Sequence, residues 1–100
     1  VYEVIVHEWA EEVLSALVKK DAKTFEKISN ALDELEEKGL ISTNTKKLLN
    51  TNAIFRKRVG RWRILFTSDK NVFHVWIVAV EKDTKKDYKK WIRLISYQKE

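Results

Sequence analysis

The sequence has no cysteine, no proline and no methionine, and its only glycines are Gly39 and Gly60. Without cysteine there is neither a disulfide framework nor a thiolate metal site. Without proline, and with two glycines, loops are expected to be short and few. No apolar run approaches the roughly 20 residues needed to span a bilayer. Val1 to Val6 carries Glu3 and lacks a basic leader, so it does not read as a signal peptide. A cytoplasmic setting without a membrane partner is the expectation. Histidine is sparse as well. His7 reads as a helix cap or surface residue, and His74 as structural, with lining of an open sheet face as its alternative. Neither has a second ligand at metal spacing, so no metal and no cofactor is expected.

What is present supports one domain over residues 1–100. Hydrophobic residues make up 44% of the chain, and four Trp, four Phe and three Tyr add large area to a single core. Charge is unevenly spread. Residues 1–50 hold seven Lys/Arg and ten Asp/Glu, a net −3, whereas residues 51–100 hold thirteen and five, a net +8. A basic half on a small domain points to an anionic partner such as nucleic acid. The competing reading is a solubilising surface.

Periodicity orders the elements. Tyr2, Val4 and Val6 alternate with Glu3 and Ile5, which predicts a short strand. Trp9, Val13, Leu14 and Leu17 then form an amphipathic helical stripe. Asp21 is a plausible N-cap for a second helix, in which Phe25, Ile28, Leu32 and Leu35 recur at three- and four-residue steps. Gly39 ends it. Ile41 to Asn52 reads as loop or short extended chain. Strands are expected over Ile54–Val59, Trp62–Thr67 and Val72–Val80, the last an interior strand rich in β-branched and aromatic residues. Tyr88, Trp91, Ile92 and Ile95 give a final helical stripe. The predicted fold is α+β in the order β-α-α-β-β-β-α. A helical hairpin packs on one face of a small, mostly antiparallel sheet, a C-terminal helix follows, and the other face stays at least partly open.

The segment from Arg56 to Arg63 holds five basic residues in eight positions. Strand parity places Arg56, Arg58 and Arg63 on the open face, opposite Phe55, Val59, Trp62, Ile64 and Phe66. Lys57 falls with the apolar set and is expected to snorkel from the core edge. Clustered arginines repel one another, and their planar forks match phosphate. Ordinary solvated arginines are the bland alternative.

The run from Phe55 to Phe66 resembles the signature of RelE/ParE-superfamily toxins: an aromatic, a basic strand, a short turn, an aromatic–Arg pair and an apolar strand. Val72–Val80 and the following tail to Tyr88 resemble the last strand and basic tail of that superfamily. Tyr2–Leu17 resembles its first strand and helix, Lys46-Lys47-Leu48 its segment ahead of the basic strand, and Lys82–Lys90 the HigB branch. The resemblance implies the toxin of a toxin–antitoxin pair. It implies an endoribonuclease that cuts mRNA, on the ribosome, through attack of the substrate's 2′-OH on the adjacent phosphorus, with no metal. Arg56, Arg58, Arg63 and Tyr88 match the catalytic positions, and Arg61, Lys82, Lys85 and Lys86 are expected to bind RNA. Arginine stays protonated at any relevant pH, so the general base must be another group, with Tyr88, Lys82, Lys85 and Asp83 as candidates. Tyr88 would stack a base, with burial in a helix stripe as its alternative, and Trp91, which could also stack, is read as part of that buried stripe. Two further readings stay open: a ParE-like inhibitor of DNA gyrase, and a non-catalytic RNA-binding or regulatory relative. All three imply an antitoxin partner.

Overall fold

The computed structural model describes residues 2–48 and 54–80, together with Arg93. The element order is β1 (Glu3–Val6), α1 (Glu8–Lys20), α2 (Ala22–Lys38), a 3-10 turn (Gly39–Ile41), β2 (Thr45–Lys47), β3 (Ile54–Val59), β4 (Trp62–Asp69) and β5 (Val72–Val80). The five strands form one sheet in the order β1-β5-β4-β3-β2. β1 runs parallel to β5, and every other pairing is antiparallel. The α+β reading therefore holds, with β5 an interior strand. The segment read as loop or short extended chain supplies β2. The expected C-terminal helix lies outside the described residues.

Helix boundaries follow local chemistry. Asp21 caps α2 by accepting from the Thr24 N–H (3.2 Å) and hydroxyl (2.6 Å). Gly39 closes α2 at φ 67° and ψ −146°, with its N–H on the Leu35 carbonyl. That conformation is nearly closed to residues with a Cβ. Space also demands glycine, since an added Cβ would stand 2.6 Å from the Tyr2 ring.

Both helices lie on one face, α1 packing against β5 and α2 against β1 and β3. The core between the layers holds Ala10, Leu17, Ile28, Leu35, Ile64, Phe66, Phe73, Val75 and Val78. Val13, Leu14, Phe25 and Leu32 flank it, as their spacing predicts. Trp9 sits at the rim of the stripe, 37% exposed.

The opposite face of the sheet is open in part, with Lys46 and Arg58 exposed on it. Ile54, Leu65, Trp76 and Ile77 form a second buried apolar cluster there, with Leu48 and Ala79 against it. The centre of this face is therefore covered rather than open. A register shift creates part of the cluster: Leu65 pairs with Ile77 and Phe66 with Val75, which leaves Trp76 as an extra residue. Such a bulge inverts the alternation of β5. Phe73 and Val75 face the helices before it, and Val78 does so after it. The indole N–H of Trp76 donates to the Thr67 hydroxyl at 2.9 Å, so the buried donor is satisfied.

Gly39→Ala is expected to destabilise the fold by about 2–3 kcal/mol, from backbone strain and the clash with Tyr2. Denaturant unfolding at neutral pH checks this, and the loss should be recovered in part when Tyr2 is also shortened to Leu.

Candidate nucleic-acid interface

β3 and β4 pair with Arg56 opposite Leu65, Lys57 opposite Ile64 and Arg58 opposite Arg63. Cross-strand partners share a face, so Arg56, Arg58 and Arg63 lie together as parity predicts. Lys46 of β2 is in register with Arg56 and joins them. Arg58, Arg61 and Lys46 are exposed, and Arg56 is half-buried. The acids of this face, Glu3 and Asp69, belong to the other end of the sheet, where Asp69 and Glu3 both align with Val72. Among the described residues the basic end is thus free of carboxylates from the strands.

Arg63 corrects one expectation. It shares the arginine face but is only 1% exposed. Its Nη1 donates to the carbonyls of Gly60 (2.9 Å) and Trp62 (2.8 Å). The guanidinium curls back on the β3–β4 turn, whose Gly60 has φ 59°. A charged donor satisfying turn carbonyls fixes that turn. Arg61 occupies the turn itself. Arg56 Nε is buried and makes no hydrogen bond. A buried donor without an acceptor costs about 1–3 kcal/mol.

Lys57 faces the helices as parity requires, but it does not snorkel. It is 2% exposed. Its Nζ donates to Glu34 Oε1 (2.6 Å), the Thr43 carbonyl (2.6 Å) and the Ser42 hydroxyl (3.3 Å). These hydrogen bonds lower the Glu34 carboxyl below its ordinary range, the bond from Lys57 most of all. Glu34 also accepts from the Thr43 N–H (2.9 Å), so the pair ties α2 to the chain leading into β2.

The two histidines meet on the arginine face, at the β1 edge of the sheet. His7 occupies the position before α1, but its side chain makes no capping bond. Its Nε2 lies 2.9 Å from His74 Nδ1, and its ring stacks on Trp76 at 3.8 Å and 7°. Burial first, and the neighbouring His74 second, hold the His7 imidazole below its ordinary pKa. His7 thus holds the N-cap position that its place in the sequence suggests, but its side chain packs against Trp76 and His74 instead of capping. The reading of His74 as structural and its open-face alternative converge, since it is half-buried on that face. No group of three or more His, Cys, Asp or Glu able to hold a metal occurs among the described residues. Lys82, Lys85, Lys86, Tyr88 and Trp91 lie outside the described residues, as does the candidate base Asp83.

An apolar groove of about 420 Å³ opens between α1 and the β4–β5 end of the sheet. Trp9, Val13, Trp62 and Val80 line it, with Glu12 on its rim. No described helix is long and apolar enough to cross a membrane.

Similar solved structures share this architecture. The YoeB dimer of Staphylococcus aureus superposes with a TM-score of 0.68 at 20% identity, covering 78% of this chain and 94% of that one. The chain has the RelE/YoeB toxin fold. The RelE–RelB complex of Pyrococcus horikoshii gives 0.67 at 19% identity, with 80% of this chain and 94% of that chain covered. A YoeB/ParE toxin of Agrobacterium tumefaciens gives 0.67 at 11% identity, covering 78% and 96%. No protein-family profile matches the sequence, and no curated protein matches it. The likeness seen in the segment from Phe55 to Phe66 thus agrees with the fold.

Two stability predictions follow from these side chains. Glu34→Ala leaves the Lys57 ammonium buried without its counter-charge. The cost for a buried pair is about 3–5 kcal/mol, and the 27% exposure of the Glu34 side chain reduces the expectation to about 2–4 kcal/mol. Urea unfolding measures it.

The second prediction concerns pH. The unfolded chain takes up a proton at the ordinary histidine pKa of about 6.5, before folded His7 does. Stability should therefore be full above that value and decline as pH falls below it. His7→Gln should flatten this limb in a pH series of thermal unfolding, while Glu34→Gln flattens only the loss at carboxylate pH.

Proposed function

We propose that this chain is the toxin of a toxin–antitoxin pair and that it cleaves mRNA, on the ribosome, with the RNA backbone held at the β3–β4 end of the sheet. The observation that supports it best is the pairing of the RelE/YoeB fold with Arg56, Arg58 and Lys46 projecting from one end of the sheet, where no strand carboxylate stands among the described residues. Fixed cations aimed at a phosphate stabilise the charge that develops during transfer and require no reorganisation as it forms. In the proposed reaction the substrate's 2′-OH attacks the adjacent phosphorus, the bond to the 5′ oxygen breaks, and a cyclic phosphate and a 5′-OH remain. Arg56 and Arg58 contact the phosphoryl oxygens, and Arg61 and Lys46 take flanking phosphates. Arg63 acts by holding the turn that sets the spacing of β3 and β4. Roles for Tyr88 in stacking a base, and for Lys82, Lys85 and Lys86 in binding RNA, rest on the sequence resemblance alone. So does the choice of base.

The partner we propose is an antitoxin segment with acidic and apolar residues. Its acids meet the arginine end, and its apolar side chains enter the groove between Trp9 and Trp62. The YoeB–YefM structures of Staphylococcus aureus and the RelE–RelB structures are toxin–antitoxin complexes, which favours this reading.

Induced expression in a bacterial host should arrest growth and create new internal mRNA 5′ ends. Arg56→Ala with Arg58→Ala should abolish both, with cleavage reduced by about 10²-fold or more, while the fold stays intact by circular dichroism. Arrest without new ends, joined to lost gyrase supercoiling activity, establishes the gyrase reading instead. Folded protein that neither arrests growth nor cuts translated mRNA establishes the non-catalytic relative.

A further inference from the structure

His7 and His74 are separated by 66 residues in sequence, yet their ring nitrogens converge on one point at the sheet edge. His7 follows the end of β1, which is paired through Ile5 opposite His74 in β5. The His7 backbone N–H also donates to the Val75 carbonyl at 2.9 Å, so the two histidines are anchored on one backbone ladder. Trp76 fixes the His7 ring by parallel stacking, and the Thr67 hydroxyl fixes Trp76. Trp76 and Thr67 thus hold the His7 imidazole in place before anything binds, and His74 is carried to it by the β1–β5 pairing.

We propose that His7 Nε2 and His74 Nδ1 form a two-histidine site for a divalent transition-metal ion, Cu(II) or Ni(II), with water completing the coordination. The two nitrogens face each other across a hydrogen bond, so each ring turns by about 45° to aim its lone pair at a common ion. With metal–nitrogen bonds of about 2.0–2.1 Å, nitrogens kept near 2.9 Å apart then subtend about 90° at the ion. That is the angle between neighbouring positions of a square-planar or octahedral ion. A tetrahedral ion wants about 109° and a wider separation. Imidazole is a preferred donor for copper and nickel, and the tetragonal geometry selects them over zinc.

The surroundings suit the ion. A hollow of about 150 Å³ beside the pair is lined by His7, Glu8, Trp9 and Trp76, which leaves room for coordinated water. Glu8 is exposed on its rim and contributes negative charge. β1 is an edge strand, so the site is reached without opening the sheet. Binding moves one proton within the pair. The hydrogen shared between Nε2 and Nδ1 leaves that contact, and each ring keeps its proton on the nitrogen facing away, His7 on Nδ1 and His74 on Nε2. The ion replaces a hydrogen bond with two coordinate bonds that clamp β1 to β5.

The site is independent of the arginine end of the sheet. Arg58 pairs with Arg63 and Arg63 with Ala79, at the far end of β5 from His74. The proposal therefore stands or falls apart from RNA cleavage.

The test titrates NiCl2 alone into the purified full chain carrying no polyhistidine tag, in a non-coordinating buffer at pH 7.5. The expected result is saturation near one equivalent per chain, with paramagnetic broadening of the Trp76 indole N–H and of both imidazoles before other signals. His7→Asn and His74→Gln should each weaken binding at least tenfold, and Zn(II) should bind more weakly than Ni(II). The broadening pattern needs no variant and keeps the test decisive where a substitution unfolds the chain. No saturable binding, broadening centred elsewhere, or affinity unchanged by both substitutions would overturn the proposal.

Discussion

The register of β3 depends on one interaction, the ion pair between Lys57 and Glu34. β3 carries three consecutive basic residues, Arg56, Lys57 and Arg58, so composition alone does not say which of them turns inward. A slip of one residue would exchange the two faces of the strand and drive two arginines into the core. Glu34 resolves the choice. It places a carboxylate where one ammonium is received, beside the Ser42 hydroxyl and the Thr43 carbonyl. Lysine suits the pocket because its compact charge has three donors, and three acceptors are present. Arginine's wider fork lacks that match. Burying an ion pair adds little stability over an apolar replacement, but it penalises every register that leaves a charge unpaired. The arginines face outward because the lysine is the residue satisfied within.

A second constraint sits in β5. The bulge at Trp76 turns a largely apolar strand into one that serves two packed layers. Phe73, Val75 and Val78 face the helices, while Trp76 and Ile77 fill the opposite cluster. The same extra residue sets the indole beneath His7 and beside Thr67. One backbone irregularity thus supplies both part of the far-face cluster and the platform for the histidine pair. Bulges are frequent beside sites for this reason, because they re-aim a side chain without breaking the sheet.

How much of this was legible depends on the range of the signal. Period and capping are local, so the helical stripe through Ile28 and Leu35, the Asp21 cap and the Gly39 stop read directly. Parity is local as well, and it assigned Arg56, Lys57 and Arg58 to their faces. The partners were not legible. Glu34 lies 23 positions from Lys57 and His7 lies 67 from His74. Spacing rules for metal ligands look along one segment, and they are blind to residues that meet across a parallel strand pair. The burial of Arg63 escaped for a different reason. Parity gives direction from the sheet but not depth, and an arginine is long enough to fold back onto its own turn. The bulge was hidden because every residue from Val75 to Val80 is apolar or aromatic, which leaves no alternation to break.

The two layers also divide the charge. α1 and α2 carry eight acids against five lysines (Lys19, Lys20, Lys23, Lys27 and Lys38), a net −3, whereas β2 and β3 and the turn after them carry Lys46, Lys47, Arg56, Lys57, Arg58 and Arg61 and no acid. The helices shield one face of the sheet with negative charge, and the β3–β4 end shows positive charge. A polyanion approaching such a molecule is repelled from the helical side and drawn to the basic end, so orientation is selected before contact. Screening acts within about 10 Å at moderate salt, so the contrast survives only because like charges are grouped at that scale or below. The grouping is in turn a product of β-sheet geometry. Adjacent strands lie about 4.8 Å apart, which brings Lys46, Arg56 and Arg58 within one screening length of one another. The Lys57–Glu34 pair, by fixing which residues of β3 face outward, therefore determines the field that a partner meets.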